Sequence, residues 1–226
     1  MLSIVIPFYN EKLFINKFIE RLEKSFKNYE VEYIFVNDGS TDGSNDIVYN
    51  YINKKTSNNF QYIDIKKNMG KGYALRQGIK IAKGEYIIFQ DADLELNTDD
   101  SLEMYKIIFN DKEIKVLFGT RYGGTGKLKK NYNLINEFVS KINTLIFNLL
   151  FWQSISDLHC GTKIVHREVL DKIDLKINDF GFEIDIASQI AKNKYQIYEY
   201  GISYIARTKK EGKKITWVDG IKSYYY

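Results

Sequence analysis

Glu85-Tyr86-Ile87-Ile88-Phe89-Gln90-Asp91-Ala92-Asp93 is the stretch that decides how this chain folds. Its apolar run has the length and composition of a strand buried on both faces, and it stops at two carboxylates. Asp91 and Asp93 are two residues apart, so on an extended segment both point to one side. Like charges placed together repel unless a cation lies between them. A hard, oxygen-ligated ion, Mg²⁺ or Mn²⁺, suits the pair, above all when substrate phosphates complete its shell. Glu95, again two residues on, is a third metal-ligand candidate. The blander alternative is that Asp-Ala-Asp ends a strand and caps the next helix.

The same rhythm extends to both sides. Residues 2–7 form an apolar strand, and Leu13, Phe14, Phe18, Ile19, Leu22 and Phe26 line one face of a helix. Residues 31–37 form a second strand, stopped by Asp38-Gly39-Ser40; Thr41 and Asp42 then cap a helix carrying Ile47, Val48, Tyr51 and Ile52. A strand at 60–65 and a helix at 72–82 precede the deciding stretch. A helix at 99–109 and a strand at 114–119 follow it. This β-α-β-α alternation predicts an α/β fold with a mostly parallel sheet covered by helices on both faces. Ligands of such sheets bind at the carboxyl ends of the strands, where Asp38 and the Asp91/Asp93 pair fall.

Past residue 119 the pattern changes. Tyr122-Gly123-Gly124-Thr125-Gly126 is a loop among Arg121, Lys127, Lys129 and Lys130. It lacks the spacing of a phosphate-binding loop and fits a mobile cover instead. A long apolar helix spans 134–152, a loop 153–161, a helix 182–191, a strand 196–205, and a basic tail 207–214. With no repeat and no linker, residues 1–226 read as one domain, 1–119 being its ligand-binding half and 120–226 the other.

With 44% hydrophobic and 27% charged residues the chain can bury a core and keep a polar exterior. A net charge of +4 is compatible with phosphates but falls short of a nucleic-acid-binding stripe. Cys160 stands alone, so no internal disulfide forms, and His159 and His166 lack zinc-site spacing with it. No run approaches the roughly 20 apolar residues of a membrane span, and the first residues lack a secretory leader's pattern. The expectation is a cytoplasmic protein, peripheral at the membrane face if its substrate is a lipid.

Eight blocks, in order, resemble the family 2 glycosyltransferases of the GT-A (Rossmann-like) fold, and among them the dolichyl-phosphate mannosyltransferase-like group. They are residues 3–11 (SIVIPFYNE), 36–42 (VNDGSTD), 68–72 (NMGKG), 91–95 (DADLE), 119–122 (GTRY), 160–163 (CGTK), 182–185 (FEID) and the 207–220 tail with Glu211-Gly212-Lys213-Lys214-Ile215. The resemblance implies a nucleotide-diphosphate sugar donor. It assigns Pro7, Tyr9 and Glu11 to the nucleoside pocket, and Asp38 with the Val36 backbone to the base. Asn37 stands where Asp is more usual, which leaves base selectivity open. Lys71, Asp91, Ala92, Asp93 and Glu95 fall to donor and metal. Arg121, Arg207 and Lys213 fall to the diphosphate, where cations stabilise the charge of a departing nucleoside diphosphate. Asp93, Arg121 and Glu183 are the catalytic candidates.

Glu183 shares a helical face with Ile186, Ala187 and Ile190, a costly place for a carboxylate without a partner. It is a candidate general base for a hydroxyl acceptor, with Asp157 a second; a phosphate acceptor needs none. The 134–152 helix is apolar over more than one face, which fits either a buried core helix or one turned to a membrane surface, with Lys129, Lys130 and Lys141 placed to attract phosphate. Two functions follow from the resemblance, and a third belongs to another class. The first is an inverting, metal-dependent transfer of a hexose from a GDP-mannose or UDP-glucose type donor to a polyprenyl or dolichyl phosphate. The second is transfer to a saccharide hydroxyl in cell-surface polysaccharide synthesis, and the third a non-catalytic nucleotide-sugar-binding subunit.

Overall fold

The computed structural model describes residues 1–122, 129–130 and 134–207. Strands β1 (Leu2–Phe8), β2 (Val31–Asp38), β3 (Phe60–Ile65) and β4 (Tyr86–Phe89) are linked by helices α1 (Ile15–Phe26), α2 (Ser44–Asn53) and α3 (Lys71–Ile81). Helix α4 (Thr98–Asn110) leads to β5 (Val116–Thr120), then β6 (Lys129–Lys130), α5 (Leu134–Phe151), β7 (Lys163–His166) and α6 (Arg167–Leu170). Helix α7 (Phe182–Lys192), β8 (Tyr198–Gly201) and β9 (Tyr204–Ile205) follow. The main sheet runs β3-β2-β1-β4-β7-β5-β8. Its neighbours are parallel except around β7, which is antiparallel to both β4 and β5. The expected mostly parallel α/β sheet forms, with β7 as an antiparallel insert.

Alternation along each strand feeds two cores. On one face Ile4, Ile6, Phe35 and Ile88 pack with Phe18, Leu22, Val48, Met104 and Ile108. On the other, Val5, Val36, Ile87 and Phe89 pack with Leu75, Phe147, Phe182, Ile186 and Ile190. Helix α3 is pressed against β1: a methyl group at Gly78 would lie 2.3 Å from Val5 Cγ1.

Three expectations need adjustment. Leu13 is exposed and outside α1, because the Glu11 carbonyl accepts from the Phe14 and Ile15 amides in a tight turn before the helix begins. The strand expected over 196–205 is two: Ser203 N donates to Asp100 Oδ2, and the chain leaves the main sheet for β9, which pairs with β6. Helix α5 is neither wholly buried nor amphipathic in the usual sense. Ser140, Asn143, Thr144 and Phe147 face inward, while Leu145, Leu149 (71% exposed) and Leu150 face out, followed by Trp152 at 93%. No helix among the described residues is long and apolar enough to cross a membrane. The glycine loop at 123–126 and the tail beyond Arg207, with Lys213, lie outside the described residues.

Candidate active site

The chain steps from β1 to β2 to β3 in one direction, then crosses back to place β4 on the other side of β1. A crevice opens at the carboxyl ends of strands where the winding reverses in this way. Pro7 lies near the end of β1 with Tyr9 just beyond it, Val36 and Asp38 end β2, and Asp91-Ala92-Asp93 follows β4. The register of β7 sets Lys163 opposite Phe89, so Gly161 and Lys163 arrive beside Asp91 from far along the chain.

Two groups of charged side chains fill this end of the sheet. In the first, the Arg207 guanidinium donates from Nη1 to Glu11 Oε2 (2.8 Å), from Nη2 to Asp93 Oδ2 (2.8 Å) and from Nε to Glu95 Oε1 (3.4 Å). Its backbone N–H also reaches Glu95 Oε1 at 2.9 Å, and the Tyr204 hydroxyl donates to Glu95 Oε2. Leu94 adopts a left-handed φ of 62°, a costly bend for that residue, between Asp93 and Glu95, which both meet the same guanidinium. Burial and the neighbouring Asp91 push the Asp93 carboxyl up to about 7, with Glu95 adding to the rise and Arg207 opposing it.

In the second group, Lys71 Nζ lies 2.7 Å from Asp91 Oδ1 and 2.9 Å from Glu183 Oε1. Lys163 Nζ donates to Glu183 Oε2 and to the Cys160 carbonyl. Glu183, expected to need a partner on its apolar face, therefore has an ammonium group on each oxygen.

Arg121 follows β5 and donates to Asp157 from Nε and Nη2, both at 2.7 Å, while its backbone N–H reaches the same carboxylate at 3.0 Å. Burial acts to raise the Asp157 carboxyl, but the charge and hydrogen bonds of Arg121 prevail and hold it below the usual carboxylate range. Such an acid is a poor proton acceptor, and its oxygens are taken. Glu199 accepts from the Ser156 and Asp157 amides and so anchors the loop that presents it.

Asp38, expected at the base, is held by the backbone of the turn that faces it. Its two oxygens accept the Met69 and Gly70 amides at 2.8 and 2.9 Å, fixing the turn into α3. Asn37, beside it, donates to Asp64 Oδ1 and accepts from Ser40 N. The three expected metal-ligand candidates are each engaged by a cationic side chain, Asp93 by Arg207 among them. Asp91 turns to Lys71 while Glu95 turns to Tyr204 and Arg207, and the described residues contain no group of three acidic, His or Cys side chains placed to hold an ion. Burial pushes His159 down to about 4 and the Cys160 thiol up to about 12, which leaves Cys160 without thiolate character at neutral pH.

Sequence reasoning missed Lys163 as a member of the site. The available signal was a lysine adjoining the apolar pair Ile164-Val165, a placement that demands a buried counter-charge.

Residues 3–174 match the family model for glycosyl transferase family 2. The chain belongs to that family. A dolichyl-phosphate beta-glucosyltransferase from Dictyostelium discoideum is 28% identical over 95% of this chain and 68% of its own length. An uncharacterized protein of Methanocaldococcus jannaschii is 31% identical over 88% of this chain and 86% of its own. Among solved structures, glucosyl-3-phosphoglycerate synthase from Mycobacterium tuberculosis, in complex with Mn²⁺, uridine diphosphate and phosphoglyceric acid, superposes with a TM-score of 0.72. It is 16% identical, over 93% of this chain and 72% of that one. The GT-A fold and glycosyltransferase class expected from the eight sequence blocks are thereby established, and the non-catalytic reading is set aside.

Proposed function

We propose that this glycosyltransferase moves a glucosyl group, or a related hexose, from a nucleoside diphosphate to a polyprenyl phosphate, with inversion at the anomeric carbon. The observation that carries the donor half is the set of four carboxylates, Glu11, Asp91, Asp93 and Glu95, gathered with Arg207 and Lys71 where the sheet winding reverses. The nucleoside lies over Pro7, Tyr9 and Val36 and the diphosphate over Asp91-Ala92-Asp93. Arg207 releases its carboxylates to meet the diphosphate, joined by Lys213 from the tail, and the pair bears the charge that grows on the departing group.

A divalent ion, Mg²⁺ or Mn²⁺, fits part of this set. Burial, and then the nearby Asp91, raise the Asp93 carboxyl to about 7, and a cation between the two carboxylates would relieve that repulsion. Those two residues would hold the ion, with phosphate oxygens of the donor completing its shell. When bound, it offsets charge on the diphosphate and eases its departure. Glu95, held by the Tyr204 hydroxyl, acts behind them.

The acceptor half rests on the absence of an available base among the candidates. Glu183 is clasped by two lysines and Asp157 by one arginine, so both carboxylates are engaged in ion pairs rather than turned to an acceptor hydroxyl. A phosphate monoester is already anionic and needs no such base. The dolichyl-phosphate beta-glucosyltransferase similarity supports the same choice, and it disfavours a saccharide hydroxyl. The outward apolar face of α5, ending in Trp152, suits contact with a bilayer surface where such an acceptor resides. A thermal-shift panel tests the donor: UDP-glucose or GDP-mannose with Mn²⁺ raises Tm selectively, because a ligand that binds the folded state alone stabilises it. No shift with any nucleotide sugar would refute the reading.

A further inference from the structure

Lys163 is fully buried, and the chemistry above gives it no task. It stands at the inner end of a line of alternating charge. Its Nζ meets Glu183 Oε2, Glu183 Oε1 meets Lys71 Nζ at 2.9 Å, and Lys71 Nζ meets Asp91 at 2.7 Å. Side-chain exposure climbs outward along the line, from 0% at Lys163 through 6% and 13% to 26% at Asp91. The line therefore runs from core to crevice. Two further contacts fix its inner end: the Cys160 carbonyl accepts from Lys163 Nζ, and the Phe118 ring centre lies 4.7 Å from that ammonium. Its outer end is closely walled. A methyl group at Gly161 would fall 2.2 Å from Asp91 Oδ2 and 3.2 Å from Lys71 Nζ.

Stability alone gives little reason for such a line. Desolvating buried ions is expensive, and apolar replacements of a whole buried pair are often neutral or stabilising. What the line supplies is direction. A lysine reaching Asp91 from α3 has a flexible four-carbon stem. Glu183, itself immobilised from behind by Lys163, fixes where that stem ends. We propose that Lys163 and Glu183 are positioning residues, acting through Lys71 to hold the Asp91 carboxylate in its donor-binding orientation. This rests on the reading of Asp91 as a donor residue.

The test compares Lys163→Met, Lys163→Arg, the double variant Lys163→Met/Glu183→Met, Asp91→Asn, and Val165→Ala as a β7 packing control, all in the full chain. Donor turnover and UDP affinity by calorimetry are read beside Tm. Misplacing a binding group by about 1 Å costs up to about 100-fold, so Lys163→Met is expected to lower kcat/KM for donor about 10- to 100-fold and weaken UDP binding in parallel. Lys163→Arg recovers most of that loss. The double variant, which removes the pair together and so keeps the fold if the single change does not, loses no more than Lys163→Met alone. Val165→Ala lowers Tm with kcat/KM within about twofold of wild type. Lys163→Met behaving like Val165→Ala would overturn the inference, as would a double variant that loses clearly more than Lys163→Met alone. If Asp91→Asn itself kept wild-type turnover and UDP affinity, the donor reading would fall instead.

Discussion

Asp93 makes the stability of this protein depend on pH in a way that one substitution isolates. Burial and Asp91 raise its carboxyl from an ordinary 3.8 to about 7. The folded chain thus keeps a proton that the unfolded chain has lost between about pH 4 and pH 7, so stability falls as pH rises through that window. At about 1.4 kcal/mol per tenfold change in proton affinity the full effect is about 4 kcal/mol. The side chain is 17% exposed, and water there reduces it, leaving about 2–3 kcal/mol. For a chain of this size that corresponds to roughly 5–10 °C in Tm. Asp93→Asn removes the titration while keeping shape and an oxygen for Arg207. Thermal unfolding followed by circular dichroism from pH 4.5 to 8.5 reads the difference. The two proteins should melt together near pH 4.5 and diverge toward pH 8, the Asn variant melting higher. Mn²⁺ with UDP should raise the wild type more than the variant at pH 8, since ionised Asp93 is needed to hold the ion. Parallel curves across the whole range would refute the assignment of this carboxylate.

Arg121→Lys removes the two-pronged contact with fully buried Asp157; Tm is expected to drop by a shift equivalent to about 2–4 kcal/mol, together with loss of turnover, and unchanged melting would contradict the pairing. Gly78→Ala forces a methyl group into Val5, at a cost of about 1–3 kcal/mol in urea unfolding, with donor affinity unaffected once the protein is folded. Leu149→Glu, on the exposed apolar face of α5, should leave Tm within about 1–2 °C of wild type but reduce sedimentation with phospholipid vesicles several-fold; equal sedimentation would remove the membrane assignment.

Strands β1 to β5 and the helices between them were legible because each is a local signal: an apolar run of strand length or a periodic face, bounded by glycine or a cap. The Asp91/Asp93 pair was legible for a related reason, since its chemistry lies within three residues. Partners were another matter. That Arg207 would bridge Glu11 and Asp93, or that Lys163 would clasp Glu183, depends on the antiparallel insertion of β7 and the return of β9, which join residues 196 and 20 positions apart. Four-residue β7 shows no period, and no local rule predicts its place between β4 and β5. Asp38 has partners of the same kind. Its position at a strand end is that of a ligand-binding residue, and the sequence does not show that two backbone amides of the 68–70 turn also meet its oxygens.

The central claim is the transfer itself. The purified chain would be incubated with UDP-[¹⁴C]glucose, Mn²⁺ and a polyprenyl phosphate in detergent, with GDP-[¹⁴C]mannose and a saccharide acceptor in parallel arms, and extracted into organic solvent. Label is expected in an acid-labile lipid product, formed with at least one of the two donors, abolished by EDTA and by Asp91→Ala. Label appearing only on the saccharide, or transfer undiminished in Asp91→Ala, would contradict that claim.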